Sequence, residues 1–159
     1  MAPLAAVDAD GRPTGDVHDH VVRRLRAEDL RYTPGRRAIV DVLDAAERPL
    51  TVPEILQRSA PRSVPLSSAY RNLTALVEAG VAHRVAGTDD HGRYELAEDL
   101  AGHHHHLLCR NCGVVTDIAA SPRLERALAE AGRVAGEEAG FEVTGHRIDL
   151  LGRCQACSV

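Results

Sequence analysis

The chain has 159 residues, 44% of them hydrophobic but only 3% aromatic, and a formal net charge of −4. That length holds one ordinary domain or two small ones, and the core must be built from Leu, Val, Ala and Ile. No apolar run approaches ~20 residues and no charged-then-apolar leader opens the chain, which predicts a cytoplasmic protein without a membrane partner. The acidic balance gives no global attraction to nucleic acid, so only a local basic cluster would supply one.

Residues 1–16 carry Ala, Asp, Gly and Pro without periodicity and read as a flexible arm. Val17, Val21, Val22, Leu25 and Leu30 then recur at the spacing of an amphipathic helix. In a second helix, Thr33 caps, Pro34 takes the first helical position, and Ala38, Ile39, Val42, Leu43 and Ala46 form the buried stripe. Arg36 and Arg37 sit in its first turn, where the helix dipole alone prefers acids, a hint that they serve an external anion such as phosphate. Pro49 stops that helix, and Thr51 caps a short third helix over 53–59 with Ile55 and Leu56 inward. Pro61 and Pro65 fence a loop. Ser67 is the expected cap of a fourth helix over 68–79, with Ala69, Leu73, Leu76 and Val77 inward and Gly80 as its stop. Residues 81–85 and Arg93–Leu96 read as strands joined by a turn over 87–92.

Short helices followed by a two-stranded wing make a winged helix-turn-helix, with 68–79 as recognition helix. Its exposed start carries Ser67, Ser68, Tyr70, Arg71 and Asn72. Arg can fork onto guanine, Asn can pair with adenine, and Tyr or Ser can reach phosphate or a thymine methyl. The alternative is a plain solvated helix face.

The second half changes character. Residues 103–109 and 114–118 read as strands around the turn Cys109-Arg110-Asn111-Cys112-Gly113. Ser121 and Pro122 open a helix through Leu124, Leu128, Ala131 and Val134, which Gly132, Gly136 and Gly140 weaken toward a frayed end. Residues 141–143 and 146–151 form a strand leading to Cys154-Gln155-Ala156-Cys157. The fold class is α+β, a winged helix-turn-helix plus a small α/β domain with a thin core. Cys109, Cys112, Cys154 and Cys157 are all the cysteines of the chain. Two Cys-x-x-Cys turns supply the four soft ligands of a tetrahedral structural Zn²⁺, and a non-exported chain favours metal over disulfides.

His103, His104, His105 and His106 precede the first cysteine pair. On a strand, His103 and His105 face one way and His104 and His106 the other, so the run offers two imidazole pairs, each able to start a metal site. Candidates to complete them are His83, Glu95, Glu98, Glu125 and His146.

In this order, the helix-turn-helix, Ser67-Ser68-Ala69-Tyr70-Arg71-Asn72-Leu73, Arg93-Tyr94-Glu95-Leu96, the four histidines and the two Cys-x-x-Cys turns resemble the ferric uptake regulator family over about residues 17–157. These are homodimeric, metal-dependent bacterial repressors. The resemblance implies a DNA-binding winged-helix domain over 17–87, a hinge over 88–92 and a dimerisation and metal-binding domain over 93–159. It implies a regulatory hinge site of His83, Glu95, His104 and His106, with Glu98 and Asp99 as alternatives to Glu95. A second regulatory site would use His103, His105, Glu125 and His146. DNA contacts would come from Ser67, Ser68, Tyr70 and Arg71, with Arg31 entering the minor groove. Iron- and peroxide-sensing members usually carry a hinge-site histidine where this chain has Pro49. His83 instead resembles the zinc uptake regulators (Zur).

The expected function is a non-enzymatic, zinc-responsive repressor of metal-uptake genes, binding a palindromic operator in double-stranded DNA as a homodimer. The same architecture would also accept Fe²⁺, Ni²⁺ or Mn²⁺ at the histidine sites. More remote readings are a zinc hydrolase, for which no His-Glu-x-x-His pattern is present, and a zinc-buffering protein.

Overall fold

The computed structural model describes residues 14–59, 64–85 and 92–158. Pro61, the wing turn but for Gly92, most of the N-terminal arm and most of the hinge lie outside them. The chain forms two compact units, Met1–His103 and His104–Val159.

The first unit opens with α1 (Val17–Ala27), capped by the Asp16 carboxylate, which accepts from the His18 N–H. It is shorter than its apolar pattern, since Asp29 turns into the left-handed region at φ 55° and Leu30 folds back onto the core. In α2 (Pro34–Asp44), Thr33 caps and Pro34 stands in the first turn, as the Thr-Pro pair predicts. The helix ends at Asp44, well before Pro49, and Ala46 packs against the core from beyond its end. Leu50–Thr51 is a two-residue strand, β1, that hydrophobic patterning does not reveal.

Helix α3 (Val52–Ser59) follows, its start tied down by Glu54 in the first turn. The Thr51 N–H and hydroxyl both donate to Glu54 Oε2 at 2.8 Å, and Arg48 donates to Oε1 at 2.5 Å. Helix α4 (Leu66–Glu78) starts two residues earlier than expected. Pro65 is its N-cap and makes no side-chain cap bond, so Ser67 lies in the first turn rather than capping it. Ala69, Leu73 and Leu76 are buried as expected, whereas Val77 is exposed and Ala75 takes the remaining inward position. Gly80, at φ 64°, ends the turn that follows.

The wing is a three-stranded antiparallel sheet in the order β1-β3-β2, with β2 (Ala82–Val85) and β3 (Arg93–Leu96). A short helix α5 (Glu98–Ala101) completes the unit. Its core gathers Val21 and Leu25 from α1, Ile39 and Leu43 from α2, Ile55 from α3, Leu73 and Leu76 from α4, and Leu96 from β3.

The second unit is a sheet in the order β5-β4-β6 with one helix. Strands β4 (His104–Cys109) and β5 (Val115–Ala119) pair antiparallel, and β6 (Asp149–Gly152) runs parallel to β4. The long strand expected from Phe141 onward is confined to β6, because Phe141 and Val143 pack beside the helix; only from Ile148, whose carbonyl accepts from the His106 N–H, does the chain meet the sheet. That helix, α6 (Pro122–Ala139), is continuous and does not fray at its glycines. Gly136 allows the close approach: a Cβ there would stand 2.5 Å from the Phe141 carbonyl oxygen, and one at Gly132 would stand 3.2 Å from Val143.

Burial alone would raise the Glu54 carboxyl, but bonds from Arg48 and Thr51 outweigh it and hold the group at about 2. A depressed carboxyl contributes stability above its ordinary value of 4.5 and loses it as the pH falls toward 2. In urea unfolding, Glu54→Gln should cost the first unit about 1 kcal/mol at pH 7. The gap to the parent protein should close between pH 4.5 and 2; a gap that does not depend on pH would refute this account of the cap.

Candidate metal centres and nucleic-acid face

Cys109 ends β4, and the chain turns at once. The Gly113 N–H donates to the Cys109 carbonyl at 3.0 Å, and Gly113 takes φ 71°, which a side chain would strain. Cys154 caps and Cys157 ends a single 3-10 turn (Gln155–Cys157) just after β6. The parallel pairing of β6 on β4 therefore brings the two cysteine turns to the same end of the sheet. All four Sγ atoms lie within 4.8 Å of one another, and Cys112 and Cys154 are 3.7 Å apart. A disulfide needs about 2.05 Å. Thiolates at ~2.3 Å from a tetrahedral zinc stand about 3.8 Å apart. The donor set and its spacing fit Zn²⁺.

Backbone N–H groups of Cys154 and Cys112 pull the Cys109 thiol down to about 6, while hydrogen bonding to Cys154 and Cys112 raises that of Cys157. Cys109 is thus more readily present as thiolate than Cys157.

The histidines of β4 divide by face. His105, only 1% exposed, meets Glu125 Oε1 through Nε2 at 2.8 Å. His146 Nε2 lies 3.2 Å from the other Glu125 oxygen. One carboxylate from the first turn of α6 therefore spans two imidazoles. His105, Glu125 and His146, three of the four residues expected at the second regulatory site, converge within the second unit.

On the other face, His104 and His106 stack edge to face with ring centroids 5.0 Å apart. Asp117, the cross-strand partner of His106 on β5, brings a carboxylate to within 4.8 Å of both as a third candidate ligand. Asp149 sits 3.1 Å from His106 Nδ1. His106 Nε2 lies 3.7 Å from Asp117 Oδ1, and a carboxylate on the other ring nitrogen is the usual outer-shell arrangement for an imidazole that takes a metal. Sequence reading missed Asp117. Its signal is a lone acid inside the predicted strand 114–118, but its pairing with His106 depends on register.

The remaining expected hinge ligands lie in the first unit. His83 and Glu95 are cross-strand partners on β2 and β3, with His83 Nε2 2.5 Å from Glu95 Oε1 and the Glu95 side chain buried. The alternatives to Glu95 are engaged elsewhere, Glu98 with His103 Nδ1 and Asp99 with Arg24. A ligand set drawn from both units is a proposal, taken up below.

The start of α4 carries the residues expected to meet nucleic acid. Its first turn holds no acid, Tyr70 is 51% exposed, and Arg71 is exposed with one Nη 3.4 Å from Ser68 Oγ. Arg31 lies exposed between α1 and α2, where its carbonyl accepts from the Arg36 guanidinium. No described helix is long and apolar enough to cross a membrane.

Comparison with known proteins agrees with this layout. The sequence model of the "Ferric uptake regulator family" matches residues 27–151. The ferric uptake regulation protein of Bacillus subtilis is 29% identical over 144 residues, covering 88% of this chain and 93% of its own. The ferric uptake regulator structure from Helicobacter pylori superimposes with a TM-score of 0.72 at 22% identity, covering 90% of this chain and 92% of that one, and shares the fold. A zinc-bound manganese uptake regulator gives a TM-score of 0.62 at 28% identity, covering 84% of this chain and 98% of its own.

Replacing Cys154 by Ser, or stripping the metal with a strong chelator, should unfold the second unit and leave the helices of the first. Metal binding at such sites is worth on the order of 10 kcal/mol, more than this small core can replace. Amide exchange resolved by segment would show it; protection over 104–158 that survives complete zinc removal would contradict the assignment.

Proposed function

The chain belongs to the ferric uptake regulator family of metal-responsive, DNA-binding transcriptional regulators, and we propose that within it the protein is a zinc-responsive repressor of metal-uptake genes. The observation that carries this reading is the pair of nitrogen-and-oxygen clusters on the two faces of β4, separate from the four cysteines. A structural zinc alone would leave both clusters without a purpose.

In this reading His104, His106 and Asp117 form one half of a regulatory site, and His83 and Glu95 supply the other from the wing. His103, His105, Glu125 and His146 form the second regulatory site. A metal bound at the first supplies a Lewis-acid cross-link between the domains. The residues do the rest. Asp149 orients His106, and each imidazole presents one neutral nitrogen. With the hinge fixed, a homodimer would offer its two α4 helices at the spacing of a palindromic operator, where Ser67, Ser68, Tyr70, Arg71 and Arg31 make the contacts. Coupling of about 1–3 kcal/mol per site, roughly 5–150-fold in affinity, is the scale required.

A second reading, the same repressor answering to Fe²⁺ or Mn²⁺, is favoured by one observation. Neither histidine cluster contains a thiolate, and imidazole with carboxylate suits those metals as well.

Protein depleted of all but its structural zinc, titrated with each metal while operator binding and metal content are followed, separates the two. Zinc beyond one per chain should raise operator affinity at least about tenfold, or ~1.4 kcal/mol. Activation at lower free Fe²⁺ or Mn²⁺ than free Zn²⁺ would overturn zinc as the signal. Arg71→Ala should abolish operator binding with zinc content unchanged.

A further inference from the structure

Three side chains that carry hydrogen-bond donors line one small pocket in the first unit, and none of these donors has a partner among the described residues. The pocket has a volume of about 150 Å³, and its walls include Tyr70 from α4, Arg84 from β2, Tyr94 from β3 and Gly92. Arg84 and Tyr94 face each other in the β2–β3 register, so their side chains stand together on one face of the wing sheet. A Cβ at position 92 would overlap the Arg84 guanidinium, so glycine there lets the guanidinium lie against the strand. Neither that guanidinium nor the hydroxyls of Tyr70 and Tyr94 is hydrogen-bonded within the described residues. Thr51 also lines the pocket, but its hydroxyl is committed to Glu54, whose carboxylate is answered by Arg48.

We propose that this pocket, between recognition helix and wing, receives one phosphate of the DNA backbone. A guanidinium with two phenolic hydroxyls is a donor set for an oxyanion. The volume is well below the roughly 300 Å³ at which pockets for small organic ligands begin. It suits a single phosphate group. The Tyr70 side chain borders both the pocket and the base-reading face of α4, so a phosphate seated here would set how far that helix is rotated in the major groove. Such contacts fix register and carry no sequence information themselves. The proposal rests on α4 being the DNA-reading helix.

The test uses full-length, zinc-loaded protein and a duplex obtained from it by binding-site selection. Arg84→Ala should weaken binding about tenfold for selected and unrelated duplexes alike, and should lower the salt slope by about 0.9. Zinc content should not change. In parallel, neutral methylphosphonates are placed one at a time along the duplex. One position per half-site should weaken the parent protein by the same factor as Arg84→Ala, with no further loss when the two are combined. The arm with the parent protein needs no variant to fold.

Several results would overturn the proposal. An unchanged salt slope in Arg84→Ala, or additivity at every phosphate, would do so while leaving α4 as the reading helix. Saturable stabilisation by inorganic phosphate alone, lost in Arg84→Ala, would assign the pocket to a free anion instead. Failure of the parent protein to select any duplex at any metal loading would remove the DNA-reading role of α4 and this proposal together.

Discussion

The second unit depends on its four sulfurs. The first unit buries a continuous aliphatic core from five helices and the wing. Among its described hydrophobic residues the second buries only Leu108, Cys109 and Val115, together with the imidazoles of His105 and His106. Leu107, Val134, Phe141, Val143, Leu150 and Leu151 stay exposed on it. An apolar balance that thin does not offset the conformational entropy of more than 50 residues, so closure must come from metal and, in a family of dimeric regulators, from a partner surface.

The same sulfurs determine where the histidines point. Cys109 is the last residue of β4, and the pairing of β4 with β6 connects the two cysteine turns. Slipping β6 by one residue on β4 would turn Asp149 away from His106 and part the two cysteine turns. The structural site thus acts on the candidate sensing sites through strand register. A feature that begins as a single His-rich stretch becomes three roles along one strand.

What the sequence made legible follows from how local each signal is. The Thr33-Pro34 cap, the α4 stripe of Ala69, Leu73 and Leu76, the Cys-x-x-Cys turns and the alternation of the histidines are contained in a few adjacent residues, and each appears in the structure as expected. Strand β1 escaped because two residues make no period. The parallel pairing of β6 and the role of Asp117 escaped because both are facts of register between strands far apart in the chain. Helix α6 contradicted its own composition: the glycines that lower its intrinsic propensity are the contacts by which 141–143 packs on it, so tertiary approach outweighs helix preference there. Ser67 failed as a cap because Pro65, with its fixed φ, had already opened the helix.

The wing sheet offers a way to couple the proposed sensing and phosphate-binding residues without a long pathway. His83 and Arg84 are neighbours on β2, and their partners Glu95 and Tyr94 are neighbours on β3. Alternation sends the His83–Glu95 pair to one face and the Arg84–Tyr94 pair to the other. A constraint on the first pair restricts the twist and registry of both strands, and the donors of the second pair ride on the same backbone. Ligation at His83 and Glu95 would then reach the DNA-facing side through a single peptide unit, with no rearrangement of the core. Such an arrangement would need only a small stiffening to change affinity, because the donors proposed for phosphate lie on the same two strands.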